Sequence, residues 1–255
     1  MTAGERSNRD QRRVVSRKLD TLRRAGVTIL PKSRKPKQAV ASSKDVPGPV
    51  SAPTLEAPAV VDLPPPETRA NALQRIANDV ARCTRCAELA RTRTQTVFGT
   101  GDPMARLVFM GEAPGADEDR MGEPFVGRAG QLLTDIITKG MKIRREDVYI
   151  LNTIKCRPPD NRTPLPEEAA NCRAFLDRQL AILRPEFICC LGAVAAQNLL
   201  GTTEAIGRLR GRFHDFDGIK VLCTYHPAYV LRNPAAKRQV WDDIQILMRE
   251  MGLLQ

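Results

Sequence analysis

Two groups of residues have types and spacings that could do chemistry. Cys83-Thr84-Arg85-Cys86 is a C-x-x-C pair, and Cys156 and Cys172, separated by fifteen residues, make a second pair. Four thiolates from two separated segments suit one tetrahedral, sulfur-rich site; spacing alone does not choose between zinc and an iron–sulfur cluster. The second group lies between residues 107 and 127. An apolar run, Leu107-Val108-Phe109-Met110, breaks into Gly111-Glu112-Ala113-Pro114-Gly115, where two glycines and a proline force a tight turn. Asp117, Glu118 and Asp119 follow, and the stretch closes on Pro124-Phe125-Val126-Gly127. Such a loop lets backbone approach a flat ligand, with Phe125 as a stacking face and the carboxylates as charge.

The elements that must position these groups alternate along the chain. Apolar runs predict strands at 107–111, 147–152, 187–191 and 219–224, and helical periodicity predicts helices at 128–140, 166–183, 193–200 and 235–251. That alternation implies right-handed crossovers and a parallel sheet covered on both faces. In an open α/β sheet, ligands bind at the loops leaving the carboxyl ends of the strands. Gly111, Asn152 and His226 all stand at such ends. A helix starting near 67–71 carries Leu73, Ile76, Ala77 and Val80 on one face and delivers Cys83 and Cys86, while 97–103 reads as a loop. Cys189, Cys190 and Cys223 sit in strands, where free cysteine packs as a small apolar residue.

Composition bounds the rest. The chain has 255 residues, 42% of them hydrophobic, enough for a core. No run approaches eighteen apolar residues, and the charged N-terminus lacks an apolar signal segment, so the expectation is a cytoplasmic, nucleoid-associated, non-secreted protein. The seven cysteines then point to metal or core roles rather than disulfides. Residues 1–70 hold fourteen Lys/Arg against seven Asp/Glu, so +7 of the net +11 lies there. A basic balance suits binding to a phosphate backbone, although solubility alone accounts for it equally. Three regions are expected: a basic extension over 1–30 with a helix at 8–24, whose partner is unknown, a Pro/Ala-rich disordered linker over 31–68, and a catalytic domain over 69–255.

Three segments together resemble the family 4 uracil-DNA glycosylases, the iron–sulfur branch of that superfamily. They are Gly111-Glu112-Ala113-Pro114-Gly115-Ala116-Asp117-Glu118-Asp119 with the Glu123–Gly130 stretch, then Asn152–Pro159, then His226–Pro234. The match covers residues 70 to 252. It implies a three-layer α/β/α sandwich around a four-stranded parallel sheet. It also implies one structural 4Fe–4S cluster on Cys83, Cys86, Cys156 and Cys172, and a monomer acting on uracil-containing DNA, single- or double-stranded. The expected activity is monofunctional: uracil is flipped out and its N-glycosidic bond hydrolysed, leaving an abasic site. A non-catalytic or covalently trapping uracil-DNA binder is the alternative, disfavoured because the 155–162 run lacks a histidine. A zinc-stabilised nucleic-acid-binding module is a second.

The resemblance also assigns roles. Gly111, Ala113 and Gly115 would shape the pocket, Phe125 would stack on the base, and the Asn152 amide would read O4 and N3–H. His226 would donate to O2 as charge develops there. Ala113 stands where better-known uracil glycosylases carry an Asp, so Glu112 and Glu118 become the candidate carboxylates, Glu118 for water and Glu112 for shaping the loop. Asp117 and Asp119 are expected in solvent. Leu231 would wedge into the gap left by the base, and Arg157 and Arg232 would meet phosphate. His214 is read as a surface or packing residue. Gly115 offers no bulk to exclude a 5-methyl group, so thymine exclusion stays open.

Overall fold

The computed structural model describes residues 66–254. The expected basic extension lies outside these residues, as does nearly all of the expected linker. The first element is α1 (Pro66–Ala81), followed by α2 (Ala87–Thr92). The sheet strands are β1 (Thr100–Gly101), β2 (Leu107–Gly111), β3 (Tyr149–Asn152), β4 (Phe187–Leu191), β5 (Phe213–Phe216) and β6 (Ile219–Thr224). Between them run α3 (Ala116–Met121), α4 (Arg128–Asp135), α5 (Pro166–Leu183), α6 (Ala193–Leu200) and α7 (Ile206–Leu209). After β6 come α8 (Pro227–Arg232) and α9 (Lys237–Glu250).

The strand order is β1-β3-β2-β4-β6-β5, and the inner four strands are parallel as expected. Their residues alternate between two cores. Leu107 and Phe109 face Leu133, Ile137, Ile244 and Leu247, whereas Val108 and Met110 face Leu176, Leu180, Ala195 and Leu199. Both faces of β2 are therefore covered, and that is why it reads as an unbroken apolar run.

The sheet has six strands rather than four, because short antiparallel strands close both edges. The segment expected as loop at 97–103 supplies β1. At the other edge β5 folds back onto β6 through Asp217-Gly218, both at positive φ (51° and 81°), the hairpin turn that a right-handed sheet twist favours. The helix expected over 128–140 is α-helical only to Asp135 and continues as a π-helical turn through Gly140. Among the described residues no helix is long and apolar enough to cross a membrane.

Candidate active site

Gly111 and Asn152 are register partners at the carboxyl ends of β2 and β3. The Thr153 N–H and hydroxyl both donate to the Gly111 carbonyl, and the Ile154 N–H donates to the Glu112 carbonyl, so the two strand-end loops are sewn together. Asn152 is 2% exposed, yet its Oδ1 has no partner within the protein. A buried amide oxygen left bare costs about 1–3 kcal/mol, so this one calls for a donor from outside. Phe125 comes back over the same spot. A Cβ at Gly111 would overlap Asn152 Oδ1 and lie 2.6 Å from Phe125 Cζ, so only glycine admits amide and ring together.

Phe125 has a left-handed backbone, φ 56°, which costs a non-glycine residue roughly 1–2 kcal/mol. It is nearly buried in the core cluster and still presents its ring to the cavity, so packing and lining are one role. His226 caps α8, just past the end of β6, with its ring 5.5 Å from that of Phe125. Its Nδ1 accepts the Ala228 N–H (3.1 Å), which leaves the proton on Nε2. Burial, reinforced by Arg232 and opposed by Glu118, lowers its pKa to about 4. The imidazole is therefore neutral at pH 7 and donates from Nε2. Phe125, Asn152 and His226 share one cavity of about 450 Å³.

A model of the uracil DNA glycosylase superfamily matches residues 98–245. A type-4 uracil-DNA glycosylase of Thermotoga maritima is 46% identical over 182 residues, 70% of this chain and 94% of the relative. Another type-4 uracil-DNA glycosylase, from Archaeoglobus fulgidus, is 43% identical over 181 residues, 68% of this chain and 90% of the relative. A type-5 uracil-DNA glycosylase of Pyrobaculum aerophilum is 30% identical and covers 59% of this chain and 80% of its own. The chain belongs to the uracil-DNA glycosylase superfamily, in its type-4 branch.

The wall of this glycosylase pocket gathers most of the expected residues. Glu112, Ala113 and Gly115 line it from the first loop, Glu118 from α3 and Arg232 from α8. Arg157 and Leu231 do not line it. Arg157 bonds Asn161 (2.8 Å), and Leu231 is exposed on α8. The end of the second motif and the loop after it add Pro158, Asn161, Arg162 and Thr163, none of them assigned to the pocket from sequence. Asp160 and Asn161 both adopt positive φ (53° and 54°), a conformation these two residue types tolerate best.

Two carboxylates depart from expectation. Glu118 Oε1 accepts the Val126 and Gly127 N–H groups (3.0 and 2.9 Å), and Oε2 accepts that of Gly115 (3.1 Å). With three backbone amides to satisfy, Glu118 braces the loop, the task expected of Glu112. Glu112 is half-buried, and burial pushes its carboxyl above the usual carboxylate range. Asp119 is not in solvent: it is 3% exposed and accepts the Thr94 N–H on both oxygens (3.0 Å each). Asp117 is exposed, as expected, and pairs with Arg120. His214 lies on β5, bonded to the Leu209 carbonyl, and does not line the cavity.

The four candidate ligand cysteines gather from four places. Cys83 follows α1, Cys86 caps α2, Cys156 comes four residues after Asn152, and Cys172 lies on α5. Cys86 and Cys172 pack against Leu89, Ile154, Cys156 and Ala169, while Cys83 and Cys172 pack against Ile76, Val80 and Phe175. None of the four is in a disulfide among the described residues. Arg93 Nη1 donates to Cys156 Sγ (3.0 Å) and Asn171 Nδ2 points at Cys86 Sγ (3.5 Å), the donors a thiolate-ligated centre needs. A zinc ion needs every sulfur about 2.3 Å from one centre. Among the described residues no three His, Cys, Asp or Glu side chains are grouped to hold one metal ion. Four thiolates with such donors beside them make up a ligand set for a sulfur-bound metal centre. Cys189, Cys190 and Cys223 are fully buried in β4 and β6 and serve the core.

Proposed function

We infer that this chain removes uracil from DNA by hydrolysing its N-glycosidic bond, leaving an abasic site. The observation that carries this reading is the bare, buried Oδ1 of Asn152 under the Phe125 ring. A planar base slid along Phe125 would give that oxygen the N3–H donor it lacks, while Nδ2 donates to O4. Cytosine presents the opposite pattern at both atoms, so the amide would meet an acceptor with an acceptor. Extrusion of the base costs a few kcal/mol, which contacts to the flanking strand must offset. We assign those contacts to Arg157 and Arg232 on phosphate and to Leu231 as the wedge.

Bond breaking puts positive charge on the sugar and negative charge on uracil O2 and N1. The Nε2–H of neutral His226 donates to O2 as that charge grows. Glu112, poorly solvated, is the carboxylate we place nearest the sugar, where its charge favours the cation and orients water. Glu118 keeps the loop in shape beneath it. Cys83, Cys86, Cys156 and Cys172 would hold a 4Fe–4S cluster, which supplies cross-linking rather than chemistry. Bound there, it would pin the segment leading from Asn152 to the two N-terminal helices.

Incubation with a uracil-containing oligonucleotide is expected to yield free uracil and alkali-labile abasic sites without strand cleavage at neutral pH. Intact strands after alkali would refute the activity. Cys172 lies away from the pocket wall, so Cys172→Ser isolates the cross-link. This variant should lose broad visible absorbance and at least about 3 kcal/mol of stability, roughly 6–12 °C in Tm for a domain of this size. Unchanged absorbance and melting would remove Cys172 from the ligand set.

A further inference from the structure

Phe125 holds a disfavoured backbone angle, so something must hold Phe125. Gly130, in the first turn of α4, does part of this: a Cβ there would collide with the Phe125 carbonyl, so the helix packs flush against that peptide. Arg145 does the rest. It sits on the 3-10 turn Arg145–Asp147, directly before β3, and outside all three motifs that resemble the family. Its Nη2 donates to the Pro124 and Phe125 carbonyls (2.9 and 3.1 Å). Its Nη1 donates to Thr134 Oγ1 (2.9 Å), whose hydroxyl in turn bonds the Gly130 carbonyl (3.0 Å). One half-buried guanidinium therefore bridges the peptide that carries the ring and the helix that backs it. The strand that starts just after Arg145 ends in Asn152. The flat face and the Asn152 amide are thus tied to the same short element, one at each end.

We propose that Arg145 is a positioning residue for uracil excision: by clamping the Pro124 and Phe125 carbonyls it sets the height of the Phe125 ring over the Asn152 amide. This rests on the stacking role given to Phe125. A planar fork satisfies two carbonyls and a hydroxyl at once, whereas a lysine ammonium delivers a point charge to one of them. Displacement of a reacting group by about 1 Å can cost 10²-fold in rate, so loss of the clamp should be read in excision rather than in DNA affinity.

The test is a double-mutant cycle on the full chain with Arg145→Met, Phe125→Ala and the pair together. Readouts are single-turnover excision from a uracil oligonucleotide and inhibition by free uracil. Arg145→Met is expected to slow excision by about 10- to 100-fold and to weaken uracil inhibition by a similar factor. In the Phe125→Ala background the same change should cost nothing further, and Arg145→Lys should recover part of the loss. Full multiplicative loss in the double variant, or a wild-type rate for Arg145→Met, would overturn the proposal. Should Arg145→Met fail to fold, Thr134→Val tests the same clamp from its other end, and a wild-type rate there would count against it. Normal excision by Phe125→Ala alone would instead strike the stacking role itself, so the two failures are separable.

Discussion

Replacing Asn152 by alanine is expected to lower single-turnover excision of uracil by about 10³- to 10⁴-fold while leaving the fold intact. The size follows from what the site contains. Asn152 is buried at the end of β3, and its Oδ1 has no partner within the protein. Its energy is realised only when a base supplies N3–H and O4. Sites built on such hydrogen bonds lose about 10⁴-fold or more when a partner is missing, because groups are left unpaired on the other side. Alanine also vacates space beside Gly111, which has no side chain to fill it. DNA affinity should change little, since the amide touches no phosphate in this account. A rate within a factor of ten of wild type would remove Asn152 from the reading role.

His226→Ala should slow excision by about 10²- to 10³-fold, the typical cost of one donor aimed at a developing oxyanion. The imidazole is already neutral, with its pKa lowered to about 4, and Ala228 fixes the proton on Nε2. The excision rate should therefore be flat from about pH 6 to 8, with no inflection at the ordinary histidine pKa of about 6.5. Stability carries the opposite signature. Between pH 6.5 and about 4 the unfolded chain binds a proton at His226 that the folded chain refuses. Stability must then fall as pH is lowered through that window. Urea unfolding at pH 7 and pH 5 measures this, and His226→Gln should lose less over the interval than wild type. An inflection in rate near 6.5 that vanished in His226→Gln would contradict the neutral donor.

Much of the fold was legible because its inner strands are covered twice. Leu107–Gly111 and Phe187–Leu191 are buried at every position, and an unbroken apolar run marks such a strand plainly. The edges were harder to read. Phe213-His214-Asp215-Phe216 is half-exposed and mixes charge with aromatic rings, so only the Asp217-Gly218 turn behind it signalled a hairpin. At the site, glycines and strand ends located Gly111, Asn152 and His226, since backbone geometry leaves a local trace. The carboxylates left a weaker one. Glu118 follows Gly115 at the spacing of a capping residue, a signal that its assignment to water passed over. Asp119 is buried by Thr94, 25 residues away, and Arg145 reaches Phe125 across 20 residues through main-chain carbonyls. Neither contact involves a side chain at its far end, so residue types there hold no record of it.

A crystal structure of the protein soaked with free uracil would show whether Phe125, Asn152 and His226 meet on one base. The base should lie flat on Phe125, with N3–H and O4 on the Asn152 amide and O2 within hydrogen-bonding distance of His226 Nε2. Uracil bound elsewhere, or in this cavity with O2 turned away from His226, would contradict it.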